Sequence, residues 1–218
     1  MKAIFWDNDG VLVDTEHLYY ETTRDAMAQL GVELSLADFA ELSLGVGTSA
    51  FDLAVAHGVS AERIEAARVS RNERYGERLA GTQLIPGVRE ALAALHGRVP
   101  MAVVTSSRRV HFDVQHARTG ARDFFEFVLT NEDFTRHKPD PQPYLMAAAR
   151  LGVDPADCLV VEDSVRGLRA AVAAGMRCAV VPSALSPGAD LSGAFRVLRE
   201  VREVPAVFEE LWRRARLV

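Results

Sequence analysis

The chain has 218 residues, 49% of them hydrophobic and 25% charged, a globular composition that excludes a disordered, collagen-like or fibrous repeat protein. At about 150 residues per domain, this length suggests one core domain carrying a substantial insertion. A formal net charge of −5 leaves no basic footprint for neutralising nucleic-acid phosphates, so an anionic ligand has to meet local cations or a metal.

The first apolar stretch, Ala3-Ile4-Phe5-Trp6, is cut off by Asp7, well short of a secretory h-region of roughly 7 to 15 residues. No apolar run approaches the ~20 residues that span a bilayer. Cys158 and Cys178 each sit inside an apolar run, so buried reduced thiols are expected in place of a disulfide framework. A cytoplasmic protein with no membrane or nucleic-acid partner follows as the expectation; the sequence leaves its oligomeric state open, with a monomer favoured.

Continuous runs rich in branched residues recur at 3–6, 101–104, 127–129, 159–161 and 178–181. Because they are continuous and not alternating, each strand is expected to be covered on both faces, as βαβ crossovers impose. The expected fold class is α/β: a doubly wound, Rossmann-like parallel sheet. Nearly a hundred residues separate the first run from the second, and 15–82 reads as helical, with Leu18, Thr22, Met27 and Leu30 before a Gly31 stop, then 39–44 and 51–55. The division is therefore an α/β core of 1–14 and 83–218 with an inserted helical cap of 15–82. Ile85-Pro86-Gly87-Val88 reopens the core, Pro86 fitting a first helical turn, and Val88, Leu92 and Leu95 share one face before Gly97. The tail 206–216 reads as a helix whose Arg213, Arg214 and Arg216 complement its negative end.

The first strand runs into Asp7-Asn8-Asp9-Gly10. Two carboxylates two residues apart share a face on an extended backbone, ligands of open α/β sheets sit at the carboxyl ends of strands, and Gly10 lets the chain turn. The fourth run ends in Glu162-Asp163, followed by Ser164 as the N-cap of a helix that stops at Gly175. Four carboxylates at neighbouring strand ends repel unless a hard cation is bound, and Mg²⁺ suits such oxygen ligands. The second strand ends in Thr105-Ser106-Ser107 at a helix start, where hydroxyls and free N–H groups suit an anion. After the third strand, Lys138-Pro139-Asp140-Pro141 holds a lysine on a stiff loop.

Asp7-Asn8-Asp9-Gly10-Val11-Leu12-Val13-Asp14-Thr15-Glu16, Thr105, Lys138-Pro139 and Glu162-Asp163-Ser164 together resemble the haloacid dehalogenase superfamily. The likeness covers nearly the whole chain, including a helical cap after the first motif, and is strongest to the branch of β-phosphoglucomutase and small sugar-phosphate phosphatases. It implies that Asp7 is a nucleophile forming an aspartyl phosphate, that Asp9 is the acid and then the base, and that Lys138 and Thr105 complete the catalytic set. Mg²⁺ would be held by Asp7, the Asp9 main-chain carbonyl and Asp163, with Glu162 ligating directly or through water. Gly10, Ser106 and Arg109 are the expected phosphate- or substrate-binding residues; His17, Tyr20, Thr48 and Ser49 are further candidates for the cap lining.

The expected function is Mg²⁺-dependent hydrolysis of a small phosphorylated metabolite, a sugar phosphate or nucleotide. Asp9 argues against dehalogenation, which in this superfamily does without that second acid. A phosphosugar mutase is the alternative, weakened because Leu44-Gly45-Val46-Gly47-Thr48 lacks the mutase arginine and Tyr19 stands where that branch often has histidine. A receiver-like signalling module is remote, since receivers lack the helical insertion. Hinges are expected near Asp14-Thr15 and 82–86, and the scattered His57, His96, His111, His116 and His137 do not suggest zinc.

Overall fold

The computed structural model describes residues 1–185 and 187–214. Six parallel strands, β1 (Ala3–Trp6), β2 (Met101–Val104), β3 (Phe127–Leu129), β4 (Cys158–Glu162), β5 (Arg177–Val180) and β6 (Arg196–Val197), pair in the order β3-β2-β1-β4-β5-β6. The chain builds outward from β1 through β2 to β3, then returns to the other side of β1 with β4. The order therefore reverses between β1 and β4, and that reversal opens a crevice at the carboxyl ends of these two strands.

Side-chain alternation explains why the strands read as unbroken apolar runs. Ile4, Trp6, Met101, Val103, Leu159 and Val161 face one way, against α5 (Val88–Leu95) and α9 (Val204–Arg214). Ala3, Phe5, Ala102, Val104, Val160 and Cys178 face the other, against α7 (Gln142–Leu151) and α8 (Val165–Ala173). In β1, β2 and β3 each face buries alternate residues, so these strands leave no position for a polar side chain. α6 (Arg109–His116) follows β2 and adds Phe112 to the first face. The two-residue β6 has both residues exposed, so it carries no apolar run from which sequence could announce it.

Between β1 and α5 lie α1 (Glu16–Gln29), α2 (Leu36–Phe39), α3 (Asp52–Ala56) and α4 (Ala61–Arg78). They enclose a separate apolar cluster that includes Met27, Phe39, Phe51, Ile64 and Ala67. Ser35 and Ser60 cap α2 and α4 by accepting from the amides of Asp38 and Arg63. The expected helix over 39–44 is instead a π-helical turn, Ala40–Val46, that ends on Gly47 at φ 84°. The two chain crossings to the sheet run side by side: Val13 bridges Leu84, and the Ile85 amide donates to the Leu12 carbonyl at 2.9 Å.

Cys158 and Cys178 are buried and unpaired with each other. No described helix is long and apolar enough to cross a membrane. α9 begins at Val204, ahead of the expected start, with Pro205 in its first turn; Arg214 pairs with Glu210 at 2.7 Å, and Arg216 lies outside the described residues.

Candidate active site

Strand register decides which side chains meet. Trp6 pairs with Val103 on one side and Val161 on the other, so β1, β2 and β4 end level and release Asp7, Thr105 and Glu162-Asp163 into the same crevice. Asp7 continues the ladder by donating its amide to the Val161 carbonyl at 2.9 Å. Asp7, Glu162 and Asp163 each bring a carboxylate oxygen within 4.8 Å of the others.

The three acids differ in how they are satisfied. Glu162 is fully buried and both its oxygens are engaged: Oε1 accepts from Lys138 Nζ at 2.6 Å and Tyr144 Oη at 2.6 Å, and Oε2 from Ser164 Oγ at 3.1 Å and the Asp163 amide at 3.2 Å. Burial alone would raise its pKa, but Lys138 and Tyr144 outweigh burial and hold it below the ordinary value. Lys138 lies 3.1 Å from Asp7 Oδ1 and also donates to the Val104 carbonyl at 2.9 Å. Burial opposes its charge, yet the carboxylates of Asp7 and Glu162 keep its pKa above the usual lysine value.

Asp163 Oδ2 has no hydrogen-bond partner, and Asp7 Oδ1 has only the ion pair with Lys138. Burial, then the charge of Glu162, pushes Asp7 up to about 7 despite Lys138; burial, then the nearby carboxylates of Glu16, Glu162 and Asp7, raises Asp163 well above the carboxylate range. Buried carboxylate oxygens that repel one another, with one cation among three of them, are the surroundings a hard divalent cation stabilises. The all-oxygen set of Asp7, Glu162 and Asp163 fits a hard cation such as Mg²⁺, and of the three Glu162 is the one with both oxygens already engaged, by Lys138, Tyr144, Ser164 and the Asp163 amide. Gly10 belongs to this packing. At φ 79°, a Cβ there would stand 2.0 Å from Asp163 Oδ2. Gly10 does not line the cavity, and its lack of a side chain is what admits the Asp163 carboxylate.

Asp9 is held by five donors from separate segments. Thr15 Oγ1, Gln115 Nε2 at 2.7 Å and Tyr75 Oη at 3.4 Å reach Oδ1; Ser107 Oγ at 2.6 Å and Asn8 Nδ2 at 3.2 Å reach Oδ2. Thr105 Oγ1 accepts from the Ser107 amide at 2.9 Å, which shapes the turn after β2. The Ser106 hydroxyl is buried without a partner in the wall of the cavity.

That cavity, about 400 Å³, lies between the strand ends and helices α1 and α4. Asp7, Asp9, Thr105, Ser106 and Lys138 line it, as do Thr48 and Ser49. Three expected lining residues lie elsewhere. Arg109 donates to the Val128 carbonyl and to Asp133, both at 3.0 Å, so Arg108 and not Arg109 borders the cavity. His17 sits 3.4 Å from Asp14 on the surface, and Tyr20 packs on Phe39. Sequence reasoning missed Arg71, which is 6% exposed. It lines the cavity from α4, donates to Thr23 Oγ1 at 3.2 Å and lies 4.3 Å over the Tyr19 ring. Its Nε has no partner, and neither does that of Arg166 in the opposite wall. Glu16 was visible only as part of the first motif; it lines the cavity and bonds to Ser183.

A description of the haloacid dehalogenase-like hydrolases matches residues 1–175. Hexitol phosphatase B of Escherichia coli (strain K12) is 36% identical over 190 residues, covering 84% of each chain. The crystal structure of CbbY from Rhodobacter sphaeroides in complex with phosphate superposes with a TM-score of 0.78 at 26% identity, covering 94% of this chain and 96% of that one. β-Phosphoglucomutase from Clostridium difficile, at 22% identity and a TM-score of 0.83 over the whole of both chains, speaks for the fold alone. The chain belongs to the haloacid dehalogenase-like hydrolases. Its phosphatase relatives place it among the phosphoric monoester hydrolases of that family.

Proposed function

We propose that this protein is a Mg²⁺-dependent cytoplasmic phosphatase that cleaves a small phosphorylated metabolite through an aspartyl phosphate on Asp7, with 15–82 as a cap over the site. The observation that carries the reading is the buried carboxylate cluster of Asp7, Glu162 and Asp163, in which Asp163 Oδ2 has no hydrogen-bond partner and Asp7 Oδ1 is met by the Lys138 ammonium alone, beside a cavity that Asp7, Lys138, Thr105 and Ser106 line. Asp7, Asp163 and the Asp9 main-chain carbonyl would hold Mg²⁺, which when bound supplies positive charge between the nucleophile and the anionic phosphate.

The residues then divide the work. A carboxylate oxygen of Asp7 attacks phosphorus as the bond from phosphorus to the leaving alcohol's oxygen breaks, and Asp9 delivers a proton to the departing alcohol oxygen. In the second half, water attacks the aspartyl phosphate while Asp9 takes back a proton, inorganic phosphate leaves, and Asp7 is regenerated. Lys138 and the Thr105 and Ser106 groups steady the equatorial oxygens.

Arg71 refines the substrate class. A guanidinium buried with a hydroxyl and a ring for partners, neither anionic, favours a metabolite with an anionic or strongly polar group away from the scissile phosphate. Sugar and polyol phosphates fit, in keeping with the hexitol phosphatase named among the relatives.

Assaying a panel of phosphorylated metabolites with Mg²⁺ and again with EDTA tests the reading. Mg²⁺-dependent release of phosphate is expected, and Asp7→Asn should abolish it; full activity in that variant, or no hydrolysis of any phosphate with Mg²⁺, would sink the proposal.

A further inference from the structure

Behind Asp9, away from the cavity, runs a row of buried polar side chains that phosphate binding does not use. Asn8 is fully buried, Gln115 is 1% exposed, Thr119 6% and His116 8%. Four polar groups in such a place are costly unless each is paired, and here the pairing gives every group one direction. Asn8 Nδ2 donates to Gln115 Oε1 at 2.7 Å, and Asn8 Oδ1 lies 2.7 Å from His116 Nε2, so that ring nitrogen carries the proton. His116 Nδ1, 2.9 Å from Thr119 Oγ1, accepts from that hydroxyl, whose oxygen accepts from the Ala121 amide at 3.2 Å.

With Asn8 turned this way, Gln115 has to present its carbonyl to Asn8, and its amide nitrogen is left aimed at Asp9 Oδ1, 2.7 Å away. Reversing either amide would set a carbonyl against the carboxylate. Of the five donors on Asp9, the row fixes the orientation of two, Asn8 and Gln115, and Gln115 makes the shorter contact, 2.7 Å against 3.2 Å. Burial also drives His116 down to about 4, which keeps the ring neutral and leaves Nδ1 able to accept.

We propose that Gln115, oriented through Asn8 by His116, is the positioning residue that fixes the Asp9 carboxyl group for proton transfer to the leaving alcohol. The inference rests on the phosphatase reading above. Thr15 and Tyr75 approach Asp9 from the proposed cap and its connection, whereas Gln115 stands on α6 in the sheet layer and keeps its aim independently of them.

Leaving groups test it. p-Nitrophenolate departs without a proton, whereas the alkoxide of a sugar or polyol needs one. kcat/KM, which covers the steps up to departure of the alcohol, is measured for p-nitrophenyl phosphate and for the hexose or hexitol phosphate that the wild type cleaves fastest. Gln115→Leu and His116→Phe are expected to lower kcat/KM for the alkyl phosphate by roughly 10- to 100-fold while p-nitrophenyl phosphate stays within about 3-fold. His116→Gln, which restores a donor towards Asn8, should recover most of the loss. Equal losses on both substrates, or no loss on the alkyl phosphate, overturn the inference; a wild type inert towards both overturns the phosphatase reading instead. Should the variants not fold, nitrogen NMR of the wild type decides: a neutral His116 protonated on Nε2 is expected, and a proton on Nδ1 refutes the row's direction.

Discussion

Arg71 holds its guanidinium in the cavity wall beside two aromatic rings, the central carbon 4.3 Å from the Tyr19 centroid and 5.7 Å from that of Phe51. Arg71→Met keeps an unbranched side chain and removes the guanidinium. A charge-assisted contact is worth about 1.5–3 kcal/mol, so KM for the sugar or polyol phosphate proposed as substrate should rise roughly tenfold or more, with p-nitrophenyl phosphate unaffected; steady-state kinetics on the two substrates checks this, and an equal rise on both removes Arg71 from substrate selection. The neighbours Arg108 and Arg109 teach the complementary point. Sequence shows two arginines where the chain enters α6, but Arg108 is the N-cap with extended backbone, φ −67° and ψ 148°, whereas Arg109 is the first helical residue. Packing sent Arg109 to Asp133 and left Arg108 at the cavity. By contrast Asp7, Asp9, Thr105, Lys138 and Asp163 were legible, because each follows directly from a strand end or a proline-stiffened loop.

At the scale of an element, α8 shows how one glycine ties a helix to the site. Ser164 caps it by accepting from the Gly167 amide, as the sequence suggests. Propensity alone predicts that Gly167→Ala stabilises the helix by up to about 1 kcal/mol. Packing predicts the opposite sign: a Cβ there would lie 1.9 Å from Glu162 Cδ, displacing the carboxylate that anchors Lys138. Gly167→Ala is therefore expected to lose roughly 2–4 kcal/mol of stability together with phosphatase activity, as denaturant unfolding and the metabolite assay would report; a stabilised, active variant would refute this account. The π-helical turn Ala40–Val46, which brings Ser43 and Leu44 to the cavity, had no sequence signal, because its apolar spacing reads as an ordinary helix.

For the whole molecule, burial of His116 links the site to acid stability. Burial is the main cause of its lowered pKa; Asp9 and Asp113 oppose it and Arg122 adds to it, giving about 4 against an ordinary 6.5. The unfolded chain therefore binds this proton first as pH falls, so the histidine's contribution is complete above about 6.5 and is lost by about 4. Integrated over that window it amounts to about 3 kcal/mol. Urea unfolding at pH 7.5 and pH 4.5 should show a larger loss for the wild type than for His116→Gln; parallel losses would show that the histidine is not the sensor. What the sequence determined by itself is the doubly wound sheet and the acids, hydroxyl and lysine at its strand ends, because strand runs, caps and turns are written in local periodicity. Only the tertiary structure decided that Arg71 enters the cavity, that Glu162 turns inward to Lys138, and that Asn8, Thr15, Tyr75, Ser107 and Gln115 converge on Asp9. Those meetings depend on how helices from distant parts of the chain pack beside the sheet, and no local pattern of residues records that distance being closed.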